Sequence, residues 1–196
     1  MFEPMVKYVP AAAKGVAEIR HIKITEQAVR MMLIRQAATR GRDPATPAGD
    51  YCQLILKGDG LVMSDTNLEK DTNYSVVSRA QGDVLIAGLG IGMILVPILA
   101  KASVMSVTVV ELHQDVIDLV APHFKRDPRF EVINADIFSW KPPKGFGYDT
   151  IYFDVWPNIC KTNLNDMRKL ERRFKPFLRE NGWMDSWAKR LCKRYY

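Results

Sequence analysis

Apolar and polar positions fall into two regimes that divide near residue 80. Residues 1–23 show no clean period. Thr25 is a suitable N-cap for a helix over Glu26–Thr39, in which Ala28, Val29, Met32, Leu33 and Gln36 share one face, so the spacing predicts an amphipathic helix packed on a neighbour. Gly41-Arg-Asp-Pro-Ala-Thr-Pro-Ala-Gly49 carries two prolines and two glycines without apolar periodicity and reads as a flexible connection. Two apolar runs, 51–56 and 61–64, flank Lys57-Gly-Asp-Gly60, which is the signature of a β-hairpin. Residues 65–73 are polar and read as irregular, and 74–79 fit a short helix or a strand equally well.

From Asp83 onward the pattern is regular. It predicts strand 84–87, helix 91–101, strand 107–110, helix 114–123, strand 130–133, a turn after Asp136, strand Tyr148–Phe153, helix 164–178 and strand 182–187. Strands alternating with helices imply a parallel sheet with right-handed crossovers. The expected fold is therefore α/β: a Rossmann-like parallel sheet with helices on both faces, ending after its fifth strand and preceded by an N-terminal helix and β-hairpin. The division expected is an extension over 1–80 and a nucleoside-binding domain over 81–196, forming one compact unit. Pro97 falls inside a predicted helix, where it removes a backbone bond and should bend the axis. A sheet ending after five strands has an open edge, which a second copy of the chain or the hairpin is expected to cover.

Composition narrows the setting. A chain of 196 residues, 47% of them hydrophobic, can build a core without disulfide or metal. Cys52, Cys160 and Cys192 lie far apart without CxxC or Cys/His spacing, which argues against a disulfide framework or zinc site and suits a reducing cytoplasm. The first residues lack the basic-then-apolar pattern of a signal peptide, and a cytoplasmic location is expected. Residues 84–100 are uncharged, but they contain three glycines and Pro97 and fall short of the ~20 residues of a membrane span. The formal charge of +6 is modest support for an anionic partner. The basic run Arg168-Lys-Leu-Glu-Arg-Arg-Phe-Lys175, Arg179 and the tail Lys189-Arg-Leu-Cys-Lys-Arg-Tyr-Tyr196 read first as solvated surface and only second as nucleic-acid contacts.

The candidate chemistry lies at the ends of the predicted strands. In Asp83-Val-Leu-Ile-Ala-Gly88-Leu-Gly90-Ile-Gly92 an apolar strand enters a glycine turn that lets a ligand approach the following helix, and Gly88, Leu89, Gly90 and Ile91 are candidate cofactor contacts. Glu111, followed by Leu112, ends the next strand 19 residues after Gly92, where a carboxylate accepts hydrogen bonds from ribose hydroxyls. A dinucleotide site places a small residue where this chain has Met93, so a mononucleoside without pyrophosphate fits better, S-adenosylmethionine being the common example. Asn134-Ala-Asp136-Ile137 follows the third strand, where Asp136 can accept from an adenine amine. Asp154 ends the fourth, beside the switch point at which open α/β sheets bind ligands. Simpler roles compete: a tight turn for the glycines, an N-cap for Asp136, a structural acid at Asp154. His21, His113 and His123 read as surface or satisfied polar residues. Trp140, Trp183 and Trp187 read as packing, while Trp156 is the tryptophan best placed to face a substrate.

Over residues 82–157 these motifs resemble the class I S-adenosylmethionine-dependent methyltransferases, and within them the spermidine-synthase-like branch. Val84-Leu-Ile-Ala-Gly-Leu-Gly-Ile-Gly92 is similar to that branch's nucleotide loop, Val109-Val-Glu111-Leu-His-Gln-Asp-Val-Ile117 to its ribose-binding strand and helix, Asn134-Ala-Asp136 to its adenine-binding segment, and Asp149-Thr-Ile-Tyr-Phe-Asp154 to the strand bearing its catalytic aspartate. The resemblance implies S-adenosylmethionine as cofactor, Asp154 as catalytic residue, Trp156 and Pro157 as substrate contacts, and methyl transfer to a small or macromolecular acceptor. Aminopropyl transfer from decarboxylated S-adenosylmethionine is the alternative, and a catalytically silent nucleoside- or nucleic-acid-binding module the second alternative. Asp154-Val-Trp156-Pro157-Asn158 departs from the Ser-Ser-Asp-Pro-like segment of aminopropyltransferases and from the Asp/Asn-Pro-Pro-Tyr/Phe motif of enzymes that methylate exocyclic amines of DNA bases, so the acceptor is left open.

Overall fold

A computed structural model describes residues 2–39 and 46–194. Met1, residues 40–45, which include the first half of the predicted connection, the last two residues of the basic tail and the side chains of Gln36, Ala38 and Thr39 lie outside it. The first half builds an antiparallel sheet, in the order β1 (Ala12–Lys14), β2 (Ala17–Ile24), β3 (Gly49–Leu56) and β4 (Gly60–Ser64). The predicted hairpin is β3–β4. The two strands before it escaped the sequence pattern, because β2 buries only Ala17, Ile19 and Ile24 and exposes His21 and Lys23 between them. Asp65 ties this sheet together: its carboxylate, wholly buried, accepts from the Met5 and Cys52 amides at 2.7 Å each.

Helix α1 (Glu26–Thr39) forms over its predicted span, but the predicted packing face is covered only in part. Ala28 and Val29 are half-buried, whereas Met31, Met32, Leu33 and Ile34 are exposed, Ile34 at 62%. Helix α2 (Asn67–Arg79) occupies the stretch read as irregular and undecided. Its inward residues include Asn73 and Val76, and Asn73 accepts from the buried Tyr152 hydroxyl at 3.1 Å. A helix whose inner face is partly polar shows no apolar stripe.

The second half is a parallel sheet of β5 (Gly82–Ala87), β6 (Val104–Glu111), β7 (Phe130–Asn134), β8 (Tyr148–Phe153) and β9 (Leu178–Ser186), ordered β7-β6-β5-β8-β9. Val84-Leu-Ile-Ala87 is apolar throughout because β5 is central and covered on both faces. Val84 and Ile86 face the core built with α2, α3 (Leu95–Leu99), α4 (Gln114–Val120) and the antiparallel sheet. Leu85 and Ala87 face the core beneath α5 (Asn163–Phe174), with Leu170 and Phe174. Helix α3 is shorter than predicted, since 91–94 are turns. Pro97 lies in its first turn, where the missing N–H breaks no helical bond, so the expected mid-helix bend is replaced by a proline at a permitted position.

The antiparallel sheet meets the parallel half at α4, where the Asp115 carboxylate accepts from the Val16 amide at 2.9 Å and Asp118 pairs with Lys14. Strands β7 and β9 are the outer strands among the described residues. A short helix, α6 (Lys189–Cys192), follows β9. No helix among the described residues is long and apolar enough to cross a membrane.

Candidate functional site

In this strand order the chain leaves β5 first toward β6 and later returns to place β8 on the opposite side, so the loops after β5 and β8 part and leave a crevice. A cavity of about 240 Å³ lies there, roofed by Leu54, Leu56 and Met63 of the antiparallel sheet. It gathers Gly88, Leu89 and Gly90 from the loop after β5, Glu111 and Leu112 from the end of β6, Asp136 and Ile137 from the loop after β7, and Asp154, Trp156 and Pro157 from the loop after β8. Of the sequence-derived candidates only Ile91 does not line it; its side chain is wholly buried in the core.

Gly88 and Gly90 have φ of +96° and +52°, a region that L side chains avoid. They answer to different neighbours. A Cβ on Gly88 would overlap the Asp154 carbonyl oxygen, so this glycine lets the chain after β8 pass against the loop. A Cβ on Gly90 would overlap the Met63 sulfur, and the Ile91 amide donates to that sulfur at 3.4 Å. The space above Gly90 is thus taken by the end of a flexible side chain rather than by backbone. Gly92 does a third job, since its bare face packs on the Phe124 ring.

Glu111 is only 7% exposed, and both its oxygens are engaged: Oε2 accepts from the Leu89 amide and Oε1 from the His113 amide, each at 2.8 Å. The carboxylate locks the glycine loop to the loop after β6 while still lining the cavity. Asp136 takes the capping role weighed above, its Oδ1 accepting from the Phe138 amide at 2.8 Å, and it too lines the cavity. The turn it begins is clamped by Arg173 of α5, whose guanidinium donates to the carbonyls of Ile137, Phe138, Ser139 and Trp140. That arginine belongs to the run read as solvated surface; it is instead half-buried and structural.

The Asp154 amide donates to the Ala87 carbonyl at 2.8 Å, which extends the β5–β8 ladder and fixes the side chain at the cavity floor. Burial, reinforced by the nearby Glu69 carboxyl, holds the Asp154 carboxyl well above the usual carboxylate range. Burial likewise pushes Glu69 up to about 7, opposed by a hydrogen bond from Trp187. Glu69, Met63, Phe138, His113 and Trp187 all line the cavity and were not singled out from the sequence as site residues. For Glu69 the sequence held no signal: it shares a helix face with Asn73 and Val76, but two polar residues in three make no apolar stripe.

Neither a family model nor a curated protein matches the chain. Solved structures with a similar arrangement include an S-adenosylmethionine-dependent methyltransferase from Clostridium acetobutylicum (17% identity, TM-score 0.43, 60% of this chain and 48% of that one). Others are an N-methyltransferase from Bradyrhizobium japonicum (16%, 0.48, 65% and 71%) and a methyltransferase from Streptomyces caelestis (14%, 0.46, 60% and 48%). The chain thus spans about half the length of the first and third.

Proposed function

We propose that the chain is an S-adenosylmethionine-dependent methyltransferase whose cofactor and acceptor meet in the cavity at the ends of β5, β6 and β8. One observation carries this: the glycine loop, Glu111, Asp136 and Asp154, from four separate strand ends, line a single cavity. Glu111 would hold the ribose, since each of its engaged oxygens keeps a further lone pair. Asp136 and the exposed ring of Phe138 would receive the adenine. The backbone of Gly88 and Gly90, with Leu89 and Leu112, would flank the remainder. The fit is possible because only the Met63 side chain covers Gly90 and can rotate away.

Bound there, S-adenosylmethionine supplies an electrophilic methyl group. The chain's own residues position the acceptor: Asp154 faces the cavity as a hydrogen-bond partner or proton acceptor, while Trp156 and Pro157 lie beside it. Aminopropyl transfer has only the motif resemblance in its favour. The chain incubated with methyl-labelled S-adenosylmethionine and a cell extract should label a discrete product, and Asp154→Asn should abolish it. Absence of any labelled product above a control without protein would count against methyl transfer.

A further inference from the structure

We propose that a cationic face built from α5 and α6, beside the cavity mouth, docks single-stranded RNA and presents an unpaired base to the site. The docking stands on charge and geometry, and only the acceptor role of the RNA rests on the methyl-transfer reading. The fold sorts the basic residues near this end of the chain into two groups. Arg173 clamps four carbonyls, Lys169 pairs with Asp166 at 2.9 Å, Lys189 donates to both Glu171 oxygens at 2.6 and 2.7 Å, and Arg179 joins Asp83 to Asp149. Arg168 and Arg172 of α5 and Arg190, Lys193 and Arg194 in and after α6 form the second group, and all five are exposed. Among the described residues none of these five forms an ion pair, and Arg168 has only a hydrogen bond to Asn165 at 3.4 Å.

Arg168 and Arg172 stand four residues apart on one side of α5, and a small core of Leu164, Met167 and Cys192 holds α6 against that helix. Trp156 packs on the same core and lines the cavity, as does Trp187, two residues before α6 begins. The cationic face therefore starts where the cavity wall ends. A basic helix run is ordinarily a solvated face with acids interleaved. Here the interleaved acids, Asp166 and Glu171, already hold Lys169 and Lys189. The five remaining cations account for most of the chain's formal excess of +6, gathered at one edge of the cavity, and such a field selects a polyanion. Single-stranded RNA suits it better than a duplex, because a base must leave its stack to enter a cavity and RNA loops hold bases already unpaired. The Trp156 indole on the path gives such a base a ring to stack on. A lipid surface fits less well, since among the described residues of 155–194 no large apolar side chain is exposed to enter it.

Fluorescence anisotropy of the intact chain with a dye-tagged, mixed-sequence RNA strand of about 20 nucleotides tests the docking without any cofactor. Micromolar binding is expected at about 50 mM salt, weakening about a hundredfold by about 200 mM if all five cations meet phosphates. Combining Arg190→Gln, Lys193→Gln and Arg194→Gln should weaken binding about tenfold or more and lower the salt slope by about 2. Combining Arg126→Gln, Lys141→Gln and Lys144→Gln removes the same charge from exposed positions elsewhere and should leave affinity within about threefold. No binding up to about 100 μM at low salt, equal losses in the two triple variants, or stronger competition by duplex DNA or phosphatidylserine vesicles than by unlabelled RNA would overturn the docking surface. For the acceptor role, methyl-labelled S-adenosylmethionine and total cellular RNA should give labelled RNA with the parent and far less with the first triple variant. Label found on DNA or a small molecule but not on RNA would overturn that role. Failure to bind S-adenosylmethionine, with RNA binding intact and lost in the first triple variant, would overturn the cofactor proposal and leave the docking surface standing.

Discussion

Glu111→Ala tests how the site is held together before any ligand arrives. In the folded chain the carboxylate accepts two charge-assisted hydrogen bonds of 2.8 Å, from Leu89 and His113. Such bonds contribute about 1.5–3 kcal/mol each, and truncation leaves two amides without partners. The Leu89 amide is buried and bears the full loss, while the part-buried His113 amide can recover water. A net destabilisation of about 3 kcal/mol is expected. Urea unfolding of the ligand-free protein, followed by tryptophan fluorescence, should show a midpoint lower by about 1.5 M at an m-value of about 2 kcal/mol/M, with the slope unchanged. Glu111→Gln keeps one acceptor oxygen but turns an NH₂ toward a donor, so about half that loss is expected. If Glu111→Ala stays within about 0.5 kcal/mol of the parent, the carboxylate does not lock the two loops and the reasoning fails.

The two glycines should diverge. Gly88→Ala meets the Asp154 backbone and is expected to lose about 4 kcal/mol or fail to fold. Gly90→Ala meets only the Met63 side chain and should cost about 2 kcal/mol, with a coupling of about 1 kcal/mol to Met63→Ala in a double-mutant cycle. Glu69 sets a pH dependence. Its folded-state value of about 7 stands above the ordinary 4.5, so the native state binds the proton more tightly. Stability should therefore fall as pH rises through that window, by about 3 kcal/mol for this group, with Asp154 acting in the same direction. Melting temperatures at about pH 5 and about pH 8 should show a smaller difference in Glu69→Gln than in the parent.

The parallel half was legible because its central strands β5, β6 and β8 are buried along most of their length and the turns after them carry glycine or acid at fixed places. Val84-Leu-Ile-Ala87 and Tyr148-Asp-Thr-Ile-Tyr-Phe153 announce themselves by continuous or near-continuous apolar runs. Helix α2 was not legible, because tertiary partners rather than an apolar stripe satisfy its inner face: Asn73 has Tyr152, and Glu69 and Thr72 have Trp187. Helix α1 shows the converse, an apolar pattern in which Met32 and Leu33 remain exposed. Arg173 looked like one cation among many, and only the path of the chain after β7 gives it four carbonyls to bind. Met63 could not have been placed over Gly90, since their meeting depends on how the antiparallel sheet lies across the strand ends. The acids Glu111, Asp136 and Asp154 were legible as candidates because each follows an apolar run that reads as a strand.

The cavity proposed to hold S-adenosylmethionine should bind it directly and measurably. Isothermal titration of the folded, intact chain with S-adenosylmethionine should show saturable one-to-one binding, weakened about tenfold or more by Glu111→Gln in a variant that keeps the parent's far-UV circular dichroism. No saturable binding by the folded parent, or equal binding by Glu111→Gln, would contradict the proposal.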